Sequence, residues 1–328
     1  MKIRCGWVLD LVTGEGKKDK DIIVKDGKID EISNVEGVVG QGDVDLSELY
    51  ILPGFVDAHN HLCFDVGDEI QQIGEHLGYQ ALVGAKNARA ALLSGVTTVR
   101  DAGERGYVDF AVKRGINEGL IPGPRLLAAG PGIMRTGGHM WYMGEESDGE
   151  AEVRKTARRQ LKAGVDFVKI FVSGGATSHL TGTVTPEMTK EEIETMIYEA
   201  HTAGKKIGAH THGGDAATWA IEAGVDVVEH GCFLTEEQLL MMRECGTWLV
   251  VTSGIQRAIR DCAGNSAFMR EKAGAAYANY LSVVRRAVEL GISLAVGNDT
   301  NHGCIAEEIA FLERAGMERR AALLGATL

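Results

Sequence analysis

A short unit recurs along this chain: a stretch of helical periodicity closes on a glycine, and a run of β-prone residues follows at once. Gly95, Gly164, Gly204, Gly224, Gly246 and Gly291 mark it, leading into Val96, Val165, Lys205, Val225, Thr247 and Ile292. A glycine just past the last helical turn takes up the left-handed conformation without strain and lets the chain turn directly into a strand. Short strands alternating with helices imply βαβ units and a parallel sheet. Strands are expected near Phe55, Val96, Leu126, Phe167, Ile207, Val227, Leu249 and Ala295. Eight such repeats point to an α/β chain of the (β/α)8 TIM-barrel class. A doubly wound open sheet is the alternative, but no Gly-x-Gly-x-x-Gly follows the first strand.

The first 50 residues follow another pattern. Lys2 to Val12, Asp21 to Lys25 and Lys28 to Ile32 alternate as strands do, with turns at Thr13–Gly16 and at Asp26-Gly27, a good hairpin pair. A small antiparallel β subdomain over residues 1–50 is therefore expected ahead of a barrel over 51–328. Residues 37–42 form the connector, and the apolar run 51–58 reads as the first buried barrel strand. Residues 130–149 are too many for an ordinary connection, and loops of that kind are often functional. Neither that segment nor 252–275 has a readable pattern.

A net charge of −12 argues against nucleic acid as a partner, which would favour a basic face. None of the six cysteines forms a C-x-x-C pair, and a chain of this length needs no disulfide staples. Reduced thiols in a cytoplasmic protein are the simplest account. Asp10 interrupts the apolar run that follows Lys2 and Arg4, which makes a poor signal peptide. No stretch of about 18 apolar residues predicts a membrane span.

In a barrel, functional groups gather at the C-terminal ends of the strands. His59 and His61 stand two apart at the end of the first, so both imidazoles can face one point. Two neutral imidazoles converging there suit a divalent metal, zinc above all. Lys169, His210, His230 and Asp299 lie at the ends of further expected strands. The ordinary role of Lys169 is an ion pair with a carboxylate in the barrel mouth. The alternative, favoured by the histidines around it, is a carbamate formed with CO2, which is anionic and can bridge two cations. His212 rivals His210 by the same two-residue rule, but His210 is nearer the strand proper. Asp299 can cap a turn, or it can ligate a metal and take a proton from the attacking water. His139, flanked by Gly137 and Gly138 in the long third loop, is either solvated or placed to polarise a substrate carbonyl.

Taken together, residues 53–61, Lys169, His210, His230 and 297–300 resemble the amidohydrolase superfamily over nearly the whole chain. Residues 97–103, 136–139 and 209–213 resemble its imidazolonepropionase-like branch, which includes Xaa-Pro dipeptidases and related aminoacyl carboxypeptidases. The resemblance implies one metal on His59, His61 and Asp299 and another on His210 and His230, with carbamylated Lys169 and a hydroxide between them. It assigns His139 to the substrate carbonyl. It also implies that residues 1–50 are half of a composite β-sandwich, completed by strands lying beyond the point that matches Leu328. Without those strands the N-terminal edges would need a partner chain, and a homo-oligomer is the expected assembly. Several relatives carry a tyrosine, suited to a substrate carboxylate, where this chain has Phe233. A less polar or decarboxylated substrate is expected at that subsite.

The expected activity is metal-dependent hydrolysis of a small amide, such as a dipeptide or an N-acyl amino acid, by attack of a metal-bridging hydroxide. The expected cofactors are two divalent ions, zinc first, and the carbamate on Lys169. A mononuclear cyclic-amide hydrolase or deaminase is the second reading, and an inactive binding homologue the third.

Overall fold

The computed structural model describes residues 1–178 and 180–327. Strands β1 (Lys2–Leu9), β2 (Gly16–Lys25), β3 (Lys28–Asn34) and β4 (Val44–Ile51) form one sheet in the order β3-β2-β1-β4. The expected hairpin turn joins β2 to β3, with Asp26 and Gly27 at φ 50° and 72°, as a two-residue primed turn requires. β4 corrects the expected antiparallel unit, because it pairs parallel with β1 and makes the sheet mixed. It also divides the apolar run 51–58. Ile51 ends β4, and the next strand starts at Phe55 after the Pro53-Gly54 break, where proline offers no N–H to a ladder.

The rest alternates. β5 (Phe55–Asn60), β6 (Val96–Asp101) and β7 (Arg125–Ala128) form a three-stranded parallel sheet. Two short strands, β8 (Ile133–Met134) and β9 (Glu145–Glu146), lie in the long third connection. β10 (Val168–Phe171), β11 (Ile207–Thr211), β12 (Val227–His230), β13 (Trp248–Val251) and β14 (Leu294–Val296) follow, all parallel, and β8 and β9 extend this sheet beyond β10. Two backbone hydrogen bonds tie the sheets edge to edge: Asp166 N–H donates to Ala128 O at 2.9 Å, and Asp299 N–H to His59 O at 2.8 Å. The result is a mixed α/β fold of the TIM-barrel type. Lys169 lies within β10 and not at its end, and its whole strand is buried.

Helices α1 (Glu69–Gly74), α2 (Leu77–Leu93), α3 (Val108–Asn117), α4 (Gly149–Ala163), α5 (Lys190–Thr202), α6 (Gly214–Glu222) and α7 (Glu236–Cys245) fill the connections. α8 (Ser253–Asp261), α9 (Ala267–Leu290), α10 (Ile305–Arg314) and α11 (Arg319–Leu324) complete them, so the unpatterned 252–275 segment is largely helical. Gly164, Gly246 and Gly291 cap α4, α7 and α9 at φ 94°, 71° and 71°. Thr189 and Thr235 start α5 and α7 with capping boxes closed by Glu192 and Gln238. Strand residues such as Val99, Leu126, Ile170, Val228, Leu249 and Val296 pack against helix residues such as Ala88, Ala157, Ile193 and Ala217 in one continuous core. This rigid core fixes where the strand ends stand.

Candidate metal centre and active-site cavity

β5 delivers His59 and, just past its end, His61, with ring centroids 5.1 Å apart. Asp299 joins them after β14, and ligand atoms of His59, His61 and Asp299 all lie within 4.8 Å of one another. Close approach of β14 to β5 requires Gly297, where a Cβ would sit 2.6 Å from His59 Cβ and 2.7 Å from its backbone nitrogen. Asp57 braces the junction by accepting hydrogen bonds from the Asn60 side chain and from the backbone and side chain of Asn298. Asp299 and His230 both adopt positive φ, 55° and 74°. Such strain in non-glycine residues collects where a site needs a particular side-chain direction.

The outer hydrogen bonds select which imidazole nitrogen remains free. His61 Nδ1–H donates to Gly103 O at 2.8 Å, leaving Nε2 with its lone pair. His210 Nε2–H donates to Gly174 O at 3.2 Å, leaving Nδ1. His230 Nδ1 bonds Thr252 Oγ1 at 2.7 Å. His59 is different: both ring nitrogens are buried without a hydrogen-bond partner, although Glu229 and Asp299 carboxylates stand 3.3 and 3.5 Å from them. An imidazole sealed in this way is costly unless something else takes its lone pair. The donor set at His59, His61 and Asp299 therefore fits a divalent ion. His210 and His230, with ring centroids 4.7 Å apart, and His59 and His230, 4.8 Å apart, continue the cluster.

Burial keeps these groups in ligand form. It drives His59 down to about 4, with Lys169 adding to the effect, and His61 down to about 3. His210 and His230 fall well below the usual histidine range through burial and mutual repulsion. Burial alone would raise the Asp299 carboxyl, but His59, His61 and His230 together hold it below the usual carboxylate range. Burial and the Arg100 guanidinium hold the Lys169 amine well below the usual lysine range.

Lys169 pairs directly with Glu229, and Glu229 also receives Arg100 Nη1 at 2.6 Å. The ordinary role expected for Lys169, an ion pair with a carboxylate, is thus seen. Glu229 carries no motif, and Arg100, although within the 97–103 segment, was given no role from the sequence. The one available hint is that Glu229 precedes His230 in a strand, with Lys169 on an adjoining strand pair.

His139 is buried, with its ring centroid 4.3 Å from that of His210. Its N–H donates to Glu187 Oε2, and its Nδ1 lies 3.1 Å from Ser178 Oγ. The solvated alternative for His139 does not hold. His212 is also buried, 5.1 Å by ring centroid from His210, so the two-residue rule brought both rings inward. A small cavity opens over this cluster, lined by His61, His139, His210, His212, His230 and Asp299, with Phe64, Phe171, Ile255 and Ile259 as apolar walls and Glu69 and Gln256 also in the lining. Phe233 is placed otherwise: its N–H donates to His212 O, and its ring packs against the main apolar core.

Residues 50–328 match the profile described as "Amidohydrolase family". The ochratoxinase of Aspergillus niger is 28% identical over 312 residues, covering 84% of this chain; the chain spans 64% of that relative's length, a little under two thirds. The imidazolonepropionase of Symbiobacterium thermophilum is 25% identical over 352 residues, covering 91% of this chain and 75% of that one. A solved Xaa-Pro dipeptidase with bound methionine in its active site superposes with a TM-score of 0.91 at 28% identity, over 99% of this chain and 86% of that one.

Proposed function

The chain belongs to the amidohydrolase family, and on that premise we propose that it is a metal-dependent hydrolase cleaving the C–N bond of a small amide, such as a dipeptide or an N-acyl amino acid. The observation that carries this reading is His59, buried with both ring nitrogens unpartnered beside His61 and Asp299. We read β5, β6, β7, β10, β11, β12, β13 and β14 as a closed (β/α)8 barrel over 51–328. Residues 1–50 are read as half of a composite β-sandwich.

His59, His61 and Asp299 would hold one divalent ion, and His210 and His230 a second, with Lys169 bridging as its carbamate. Zinc suits this nitrogen and oxygen set. When bound, the ions would polarise the scissile carbonyl and lower the pKa of the attacking water. Asp299, ionised, takes the proton of that water and passes it to the leaving amine. His139 is neutral because burial holds it well below the usual range. With Nδ1 facing the Ser178 hydroxyl, its Nε2–H donates to the carbonyl oxygen as negative charge grows there. Phe64, Phe171, Ile255 and Ile259 supply the apolar part of the cavity wall. Phe233 offers no hydroxyl to a substrate carboxylate, consistent with its apolar packing.

One observation favours a second, mononuclear reading: Lys169 is engaged by Glu229, and of the six proposed ligands it is His59, His61 and Asp299 that converge as a group. A panel of dipeptides, N-acyl amino acids and cyclic amides, followed by amine release, tests both. Turnover of linear amides supports the first, and turnover of cyclic amides alone supports the second.

A further inference from the structure

Glu69 opens α1 at the mouth of the candidate cavity and is more than nine-tenths buried. Its Oε2 accepts a hydrogen bond from Tyr142 Oη at 2.5 Å, and Tyr142 is fixed in turn against Met140 Sδ. Among the described residues, Glu69 has no lysine, arginine or histidine partner, and no hydrogen bond reaches its Oε1. It lines the metal-centre cavity together with Asp299 and His139, and it also lines an outer pocket with Tyr142, Asn265 and Met269. Glu69 therefore stands where the two spaces meet.

A buried carboxylate without a countercharge is expensive, and natural sites keep one where a partner arrives to complete it. Among the described residues, the lining of the cavity has no lysine or arginine. Phe64, Met140, Ile255 and Ile259 give the cavity that Glu69 lines its apolar side. We propose that Glu69, held by Tyr142, is a specificity-determining residue that receives the protonated α-amino group of the substrate, so that the preferred substrates are dipeptides with a free N-terminus and an apolar first side chain. This rests on the amide-hydrolase reading above and narrows it, because an N-acyl amino acid would leave Glu69 uncompensated. Burial, with the nearby charges of Asp299 and Asp68, pushes the Glu69 carboxyl up to about 7 against the pull of Tyr142. An ammonium placed beside it would return it to the ionised form.

The test compares phenylalanyl dipeptides with their 3-phenylpropionyl counterparts, which differ only in lacking the amino group, on metal-loaded wild type, Glu69→Gln and Tyr142→Phe. The expected result is a wild-type preference for the free amine of at least tenfold in kcat/KM, expressed mainly in KM. The ratio collapses toward one in Glu69→Gln and falls partway in Tyr142→Phe. A wild type indifferent to the amino group, or a Glu69→Gln variant that keeps the full ratio, would overturn the proposal. Phenylalaninamide binding, measured by calorimetry on the same proteins, separates this from failure of the hydrolase reading. Weaker binding to Glu69→Gln without hydrolysis of any amide would retain the ammonium site and reject only the hydrolase. Equal binding to both proteins would reject the site.

Discussion

The backbone N–H of Asp299 donates to the carbonyl oxygen of His59 at 2.8 Å, joining the segment after β14 to β5. This hydrogen bond closes one of the two edges where the sheets meet and sets the proposed proton carrier beside the first metal ligand. Asp299→Asn preserves an oxygen donor but not the negative charge that accepts a proton. We expect metal to stay bound while kcat falls by about 10²–10⁴, the usual range for loss of general acid–base catalysis. Metal content and amide turnover on the same sample check this, and near-normal turnover would remove Asp299 from its role.

The same junction depends on a missing side chain. A Cβ at Gly297 would lie 2.6 Å from His59 Cβ and 2.8 Å from its carbonyl oxygen, neither of which can move without shifting the site. Gly297→Ala should destabilise the fold by roughly 1–3 kcal/mol or more, as overpacking of a tight interior does. Urea unfolding measures it, and an unchanged midpoint would show that the strands are not held so closely.

Thr252 lies outside the ligand set yet bonds His230 Nδ1 at 2.7 Å. Partners of this kind fix the tautomer and direction of a ligating imidazole. Thr252→Val keeps the shape and removes the bond, so metal affinity should drop by about 10–100-fold in competition with a chelator. Affinity equal to wild type would mean that packing alone orients His230.

Glu308 gives a pH dependence independent of the metal centre. Its carboxyl accepts from Ser253 N–H, Ser253 Oγ–H and Gly254 N–H, yet burial outweighs these and pushes it up to about 7 from 4.5. The folded state therefore binds this proton more tightly than the unfolded chain does. Its contribution is fully favourable below about 4.5 and is lost as pH rises through about 7. A shift of this size corresponds to at most about 3 kcal/mol. The stability advantage of wild type over Glu308→Gln should shrink between pH 5 and pH 8, and a gap that widens with pH would reverse the assignment.

The helix-glycine-strand rhythm located the parallel strands because the cap and the periodicity are both local. Phe55, Val96, Leu126, Ile207, Val227, Leu249 and Ala295 all fall within strands, and Phe167 immediately precedes β10. β4 was invisible because its residues are mostly exposed and its pairing with β1 is long-range. At the site, His59 and His61 were legible through their spacing, and the geometry brings Lys169, His210, His230 and Asp299 around them. Glu229, Arg100 and Glu69 were not legible. Each acts through neighbours distant in sequence, as in the 129-residue separation of Arg100 from Glu229, and no local spacing reports such a contact.

Metal stoichiometry tests the central claim most directly. Wild type and Lys169→Ala, purified with added zinc and bicarbonate, would be compared by elemental analysis. The carbamate-bridged reading predicts two equivalents per chain in wild type and a clear loss in Lys169→Ala. One equivalent in both, indifferent to Lys169, would contradict it and establish the mononuclear site at His59, His61 and Asp299.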